Sequence, residues 1–363
     1  MDLDSLRQRL AAVDRGIIEL VARRQEMVHQ VGRAKEQAGR PIRDYAQERE
    51  VIERTRAAAR QLGVSDTVAT ALVQELIGYA LTDQERQRVS ARGGGGGQRA
   101  LVVGGAGRMG RWFVGFLASQ GYEVEVADPA GPVPGHAHLS DWRASALDHD
   151  LIVLATELRV TGQILDGLVE RRPPGVVFDV GSLKSPLAAG LRRLAAAGVR
   201  VTSLHPMFGP DTEMLSGRHV ILVDVGMAEA NDAARRLFGS TMAELVEMSV
   251  DDHDRCIAYV LGLSHALNIA FVTALSSSGE PAARLARLSS TTFERQLEVA
   301  EDVSHENPHL YFEIQRLNEF GREPLEALRG AVDRLHHAVT SSDEPDFVAM
   351  MDDGRAYLAE LRR

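Results

Sequence analysis

Apolar side chains recur at helical steps through the first quarter of the chain. Leu3, Leu6, Leu10, Val13, Ile17, Leu20, Val21, Met27, Val28 and Val31 fall mostly three or four residues apart, the period of an amphipathic helix. Asp2 or Asp4 can cap its start, and Gly39-Arg40-Pro41 stops it. About 35 helical residues make a rod of roughly 50 Å. A module of this size cannot bury such a rod along its whole length, but a second copy can. The pattern therefore predicts an intertwined helical dimer, with further helices over about 45–62 and 66–88. Five glycines at 93–97 suit neither helix nor strand and predict a flexible tether. Beyond them the pattern changes to short apolar runs at 100–103, 123–127, 151–155, a run ending at Asp179, and 199–204. Helical spacing (Trp112, Phe113, Phe116, Leu117) lies between them, which reads as an α/β domain with a parallel sheet. From about Val250 the period is helical again, through Ile257, Val260, Leu261, Leu263 and Leu267.

Composition narrows the function classes. The 363 residues are 44% hydrophobic and 25% charged, a globular balance. No unbroken apolar run reaches 18 residues, so no membrane span is expected. The charged start MDLDSLRQRL lacks a secretory core, which makes the cytoplasm the default. Cys256 is the single cysteine, so neither an intrachain disulfide nor a Cys-rich metal site is expected. A net charge of −10 argues against a nucleic-acid partner. The helical front carries a slight basic excess and the rest is acidic.

Two sets of residues carry candidate chemistry. The first is a strand at 100–103, then Gly105-Ala106-Gly107-Arg108-Met109-Gly110, a helical segment, a second strand and the acid Asp128. Strand, GxGxxG, helix, strand and acid within about 30 residues predict a Rossmann-type dinucleotide site. The glycine loop with Arg108 and Met109 would meet the pyrophosphate, and Asp128 the adenosine ribose. Pro129-Ala130-Gly131 follows with no arginine, which favours NAD over NADP. Thr156 closes the next strand, at the carboxyl ends where ligands lie. His205 follows the run at 199–204, with Pro206, Gly209 and Pro210 stiffening its loop. It is a candidate acid or base, balanced against a satisfied loop histidine.

The second set lies on the front helices. Arg24 and Lys35 share a face about 16 Å apart and can hold a small dicarboxylate between them. Arg7 is about 100° off that face and roughly 25 Å away, so it reaches such a site only in an antiparallel partner. Asp44 and Glu48 share a face at i, i+4.

LRQRLAAVDRGIIELVARRQEMVHQVGRAKEQAGRPIRDYAQERE resembles the all-helical bacterial chorismate mutase domain, a resemblance covering about residues 3–88. It implies that Arg7 of the partner, Arg24 and Lys35 hold the carboxylates and ether oxygen of chorismate. It also implies that Asp44, Glu48 and Gln84 complete the pocket. The pericyclic rearrangement to prephenate needs orientation and electrostatics rather than a nucleophile. Gln47 stands where that family usually has an arginine.

GGAGRMG, DVGSLK and LHPMFGPD resemble the prephenate dehydrogenase family over about 99–350, especially forms fused to a mutase. This implies NAD-dependent oxidation of the prephenate C4 hydroxyl with loss of CO₂, giving 4-hydroxyphenylpyruvate. It also implies that His205 binds that hydroxyl and helps remove its proton, with Ser182 beside it and His265 touching substrate. His253 reads instead as part of a helix N-terminal cap. The family places a carboxylate-binding arginine six residues before the proline of ENPHLY, where this chain has Asp302. Arg295, Arg284 and Arg287 are the candidate substitutes.

The sequence thus reads as multidomain. A helical mutase domain at 1–90 and a Gly-rich linker at 91–98 precede a Rossmann NAD-binding domain at 99–249. A helical substrate and dimerisation domain follows at 250–363. The expected protein is a cytoplasmic homodimer acting on chorismate and prephenate. Gln47 and Asp302 keep two alternatives open: the same reactions on 4-amino-4-deoxy analogues, or an NAD-binding regulatory protein without turnover.

Overall fold

The structure, a computed structural model, describes residues 2–360. Three helices come first: α1 (Leu3–Gln37), α2 (Tyr45–Gln61) and α3 (Asp66–Arg92). Asp2 caps α1 by accepting from the Asp4 N–H, and Asp44 caps α2 by accepting from Ala46 and Gln47. Helix α1 buries none of its residues, and Leu3, Leu10, Ile17, Leu20 and Met27 stand exposed along it.

The α/β part runs β1 (Arg99–Val103), α4 (Arg108–Ser119), β2 (Glu123–Ala127), β3 (Ala137–Leu139), β4 (Leu151–Leu154), α5 (Leu158–Arg171), β5 (Val176–Asp179), α6 (Ser185–Ala196), β6 (Val201–Pro206), β7 (His219–Val223), α7 (Ala228–Phe238) and β8 (Glu244–Met248). Its sheet has the order β3-β2-β1-β4-β5-β6-β7-β8, parallel except where β7 runs antiparallel to β6. Alternate strand residues feed opposite layers. Leu101 and Val103 pack with α5 and α6, while Ala100 and Val102 pack with α4 and α7.

Helices complete the chain: α8 (Val250–Ile257), a π-helical turn (Ala258–Leu263), α9 (Ser264–Ser276), α10 (Ala282–Arg287), α11 (Thr291–His305), α12 (Pro308–Leu317), α13 (Arg322–Thr340) and α14 (Glu344–Glu360). The progression from a helical module through a Rossmann-type sheet to a helical region is the expected fold class.

Two expectations need correction. The glycines do not form a loose tether. Gly95 and Gly97 donate backbone hydrogen bonds to Gln120 and Gly121, and a Cβ on Gly93 or Gly95 would collide with that backbone. Glycine is needed here for close approach. His205 does not follow its strand but lies within it, paired with Ile221, because antiparallel β7 extends the ladder through Pro206. Val250–Ser276 is, by length and composition alone, long and apolar enough to cross a membrane, a test that a helix packed inside a protein also passes. Scattered polar residues hide this from a count of unbroken runs. Two of those polar residues, His253 and Asp254, are fully buried against the α/β part.

Candidate active site

His205 sits near the carboxyl end of β6, almost wholly buried. Its Nδ1 lies 2.9 Å from Nε2 of His253 on α8, and His253 Nδ1 lies 2.6 Å from Asp254 Oδ1. The ionised carboxylate only accepts, so it fixes the proton of His253 on Nδ1. His253 Nε2 is then the acceptor, His205 Nδ1–H the donor, and His205 Nε2 the free lone pair. Asp254 is held in turn by the backbone N–H groups of Lys184 and Ser185 and by the Ser185 hydroxyl, at 2.5 to 2.9 Å. Burial pushes its pKa up, but these bonds with that of His253 outweigh burial and hold it below the ordinary carboxylate value. Beneath the imidazole, buried Lys184 donates to Asp179 at 2.8 Å and to the Leu204 carbonyl at 2.7 Å. Burial first, then His253 and the Lys184 cation, pull His205 well below its ordinary pKa. The imidazole therefore stays neutral.

His253 thus corrects the capping expectation. Ser249 caps α8 by accepting from Asp252, while His253 is fully buried behind His205. The available signal was an adjacent His-Asp pair at the start of a largely apolar 27-residue helical stretch. Ser182 lies half-buried in the turn after β5.

His265 follows the π-helical turn, a feature frequent at functional sites. Its ring stacks on Tyr311 of α12 with centroids 4.0 Å apart and planes 4° from parallel. Its Nδ1 is buried without a partner, so it can take a ligand's polar atom. Burial draws its pKa down against the pull of Glu306. Arg295 is exposed on α11 and makes no hydrogen bond or ion pair among the described residues.

The glycine loop forms as expected. Gly104 has φ +84°, and a Cβ there would lie 2.5 Å from the Ala155 carbonyl. A Cβ on Gly105 would strike Val126, and one on Gly110 the Gly104 carbonyl. Gly107 caps α4 without a side-chain bond, leaving the helix N-terminus to an anion. Asp128 accepts from Ala106 and Ala130, one bond per oxygen, which leaves acceptor capacity for a ribose. Asp128, Gly104, Gly107 and Thr156 line a cavity of about 560 Å³, whose residues fit the adenosine half of a dinucleotide. Thr156 Oγ1 is 2.8 Å from Thr161 Oγ1. One arginine that was not near in sequence joins this cavity: Arg143, paired with Asp141 and lying over Trp142. Met109 packs against the core, whereas Arg108 reaches outward to Glu306 at 2.9 Å and Asp211 at 3.2 Å.

Of the six positions proposed on the front helices, the structure brings Lys35 and Gln84 into one cavity of about 420 Å³. Lys35 Nζ donates to the Ile42 carbonyl, and Gln84 Nε2 to that of Val28. The rest are not in its lining. Arg24 donates to the Leu76 carbonyl, Asp44 caps α2, and Arg43 engages both oxygens of Glu48 at 3.0 and 3.2 Å. Arg7 is exposed and paired with Asp4.

Comparison with known proteins matches three stretches of the chain. Residues 6–85 match the chorismate mutase type II family, 137–247 the nucleotide-binding domain of prephenate dehydrogenase, and 249–353 its dimerization domain. A 4-amino-4-deoxyprephenate dehydrogenase of Streptomyces pristinaespiralis is 31% identical over 280 residues, 74% of this chain and 94% of that protein. The chain belongs to the prephenate dehydrogenase family. Another similar member, the T-protein of Enterobacter agglomerans, is 28% identical over 327 residues, 86% of this chain and 81% of that one. A crystal structure of prephenate dehydrogenase from Aquifex aeolicus, in complex with hydroxyphenyl propionate and NAD+, shares the fold. Its TM-score is 0.60 at 20% identity, covering 73% of this chain and 98% of that one. In this chain Asp254, His253 and His205 make a buried hydrogen-bonded chain directed from α8 to the end of β6.

Proposed function

We propose that the chain is a bifunctional enzyme of tyrosine biosynthesis. It rearranges chorismate to prephenate, then converts prephenate to 4-hydroxyphenylpyruvate by NAD-dependent oxidative decarboxylation. The observation that carries the second activity is the Asp254–His253–His205 chain, which presents an unprotonated Nε2 on a neutral imidazole. In the reaction the C4 hydroxyl gives its proton to that nitrogen, and the C4 hydride leaves with its electron pair. The ring carboxylate then departs as CO₂; its bonding pair makes the ring aromatic and the C4 oxygen a phenolate, which takes the proton back from His205. Bound NAD supplies the hydride acceptor. Gly107, Asp128 and Thr156, which line the cavity, would hold it, with Gly105 and Gly110 shaping the loop and Arg108 and Met109 at the start of α4. His265 contacts the substrate and Ser182 lies beside the hydroxyl. Arg295 is the candidate for the ring carboxylate, with Arg284 and Arg287 as rivals.

For the first activity, Lys35 and Gln84 stabilise the ether oxygen as its bond breaks. Arg24, Asp44, Glu48 and Arg7 of a partner complete the site. We place the mutase module at 1–90 and the helical dimerisation module from 250, in a cytoplasmic homodimer. A second reading has its own support. The 31% identity to a 4-amino-4-deoxyprephenate dehydrogenase, with Gln47 and Asp302 at departing positions, favours 4-amino substrates.

Steady-state assays with chorismate, prephenate and their 4-amino-4-deoxy analogues test both readings. The expected result is turnover of the hydroxyl compounds with the higher kcat/KM. His205→Asn should abolish NAD reduction and leave mutase turnover intact. Preference for the amino substrates supports the second reading, and inertness toward all four compounds rejects both.

A further inference from the structure

The cavity holding Lys35 and Gln84 is bounded by the end of α1, the turn at residues 39–42 and the last turns of α3. Its other charged walls are Arg33, Arg40, Arg88 and Arg92, against the single acid Glu36, which pairs with Arg92 at 3.5 Å. Such a space of about 420 Å³ suits a small organic anion. Arg88 is the exceptional member. Its Nε is buried and has no hydrogen-bond partner, and the residue makes no hydrogen bond or ion pair among the described residues. One acid, Glu85, acts on it, and only through space. Both oxygens of Glu85 are already bonded to backbone N–H groups of Leu215 and Met242. A buried donor left unmade is costly, and the missing partner is an acceptor. Arg88 lies one helical turn beyond Gln84, so both side chains project from the same face of α3 toward the cavity. A guanidinium presents a planar fork that matches a carboxylate.

We infer that Arg88 is a substrate-binding residue of the mutase site, gripping one carboxylate of a cyclohexadiene dicarboxylate whose ether oxygen faces Lys35 and Gln84. This rests on the mutase activity proposed above. It places the carboxylate anchor on α3 and deep in the cavity.

The test uses the full chain and two variants, Arg88→Gln and Arg88→Lys. Mutase kinetics should show KM for chorismate raised about 10- to 100-fold in R88Q, with a smaller change in kcat, as expected when a charge-assisted bond is lost. R88K keeps the charge but not the fork, and its KM should rise about 5-fold or more. NAD reduction with prephenate should stay within twofold of the unmodified chain in both variants, reporting an intact fold. Calorimetric titration with a stable bicyclic ether dicarboxylate reads binding without turnover and should weaken in parallel. If the unmodified chain turns over chorismate and both variants keep its KM, Arg88 does not bind substrate. If the unmodified chain is inert but binds the dicarboxylate, and R88Q weakens that binding, the mutase reading falls and Arg88 stands as an anion-binding residue. If it is inert and R88Q binds equally well, both fall. Should R88Q fail to fold, R88K decides: an unchanged KM overturns the assignment.

Discussion

Asp254 acts on the reacting atoms only through His253. The carboxylate fixes which nitrogen of His253 carries the proton, and so which nitrogen of His205 is free. Asp254→Asn keeps the shape but can present an N–H₂ to His253, reversing the proton arrangement along the chain. The dehydrogenase kcat is expected to fall by about 10²- to 10⁴-fold, with KM for NAD and mutase turnover unchanged. The pH profile is the discriminating readout. His205 is pulled well below its ordinary value by burial, by His253 and by Lys184, and its neutral form is the base. The acid limb of kcat/KM should therefore lie well below the ordinary histidine value of about 6.5. An acid limb at or above that value, assigned to His205 by its loss in His205→Asn, would contradict the proposed chain. In sequence His205 stood level with a satisfied loop histidine, and the resemblance of LHPMFGPD to the prephenate dehydrogenase family singled it out. His253 was not singled out, because its role depends on α8 crossing to β6, 48 residues away in sequence.

At the scale of elements, α3 is more than one wall of a helical module. Glu85 is buried, and its carboxylate accepts from Leu215 at 2.7 Å and from Met242 at 2.5 Å. Arg86 pairs with Glu213 at 3.0 Å, and Arg43, while engaging Glu48, donates to Ser216 at 2.9 Å. All but Met242 lie on the segment 207–218 between β6 and β7, which also carries Asp211, the partner of Arg108. Helical period alone gives Glu85 no special status, and five glycines read as a tether. Neither pattern contains the neighbouring surface that turns both into contacts. Glu85→Ala leaves two backbone N–H groups without their acceptor, at about 1–3 kcal/mol for each that stays buried. The expected outcome is a lower urea midpoint and faster proteolytic cleavage within 93–97, while the isolated sheet core stays protected from hydrogen exchange. A midpoint equal to that of the unmodified chain would show that the bonds of Glu85 do not hold the modules together.

Over the whole molecule, apolar faces are uncovered among the described residues, and two of them bear on how chains would pair. Helix α1 exposes Leu3, Leu10, Ile17, Leu20 and Met27 over about 36 Å, and the Val250–Ser276 stretch exposes Tyr259, Val260, Leu267 and Ile269. Contiguous apolar surface on this scale marks an interaction face. The periodicity of α1 already carried this, because a helix so much longer than its module has nowhere of its own to bury. The second face was less visible in sequence, since polar residues serving the active site interrupt it. If α1 pairs with a second α1, Arg7 completes the partner's mutase site, whereas the α9 face joins the dehydrogenase regions. The two pairings then separate by mutation. Leu10→Glu with Ile17→Glu sets two charges on the α1 face. Mutase kcat/KM is expected to drop at least about 100-fold through loss of both an ordered helix and a partner cation. NAD reduction should remain within twofold, and sedimentation should still report a dimer, now held by the later helices alone. A monomer that keeps full mutase activity would place the whole site within one chain and remove Arg7 from it.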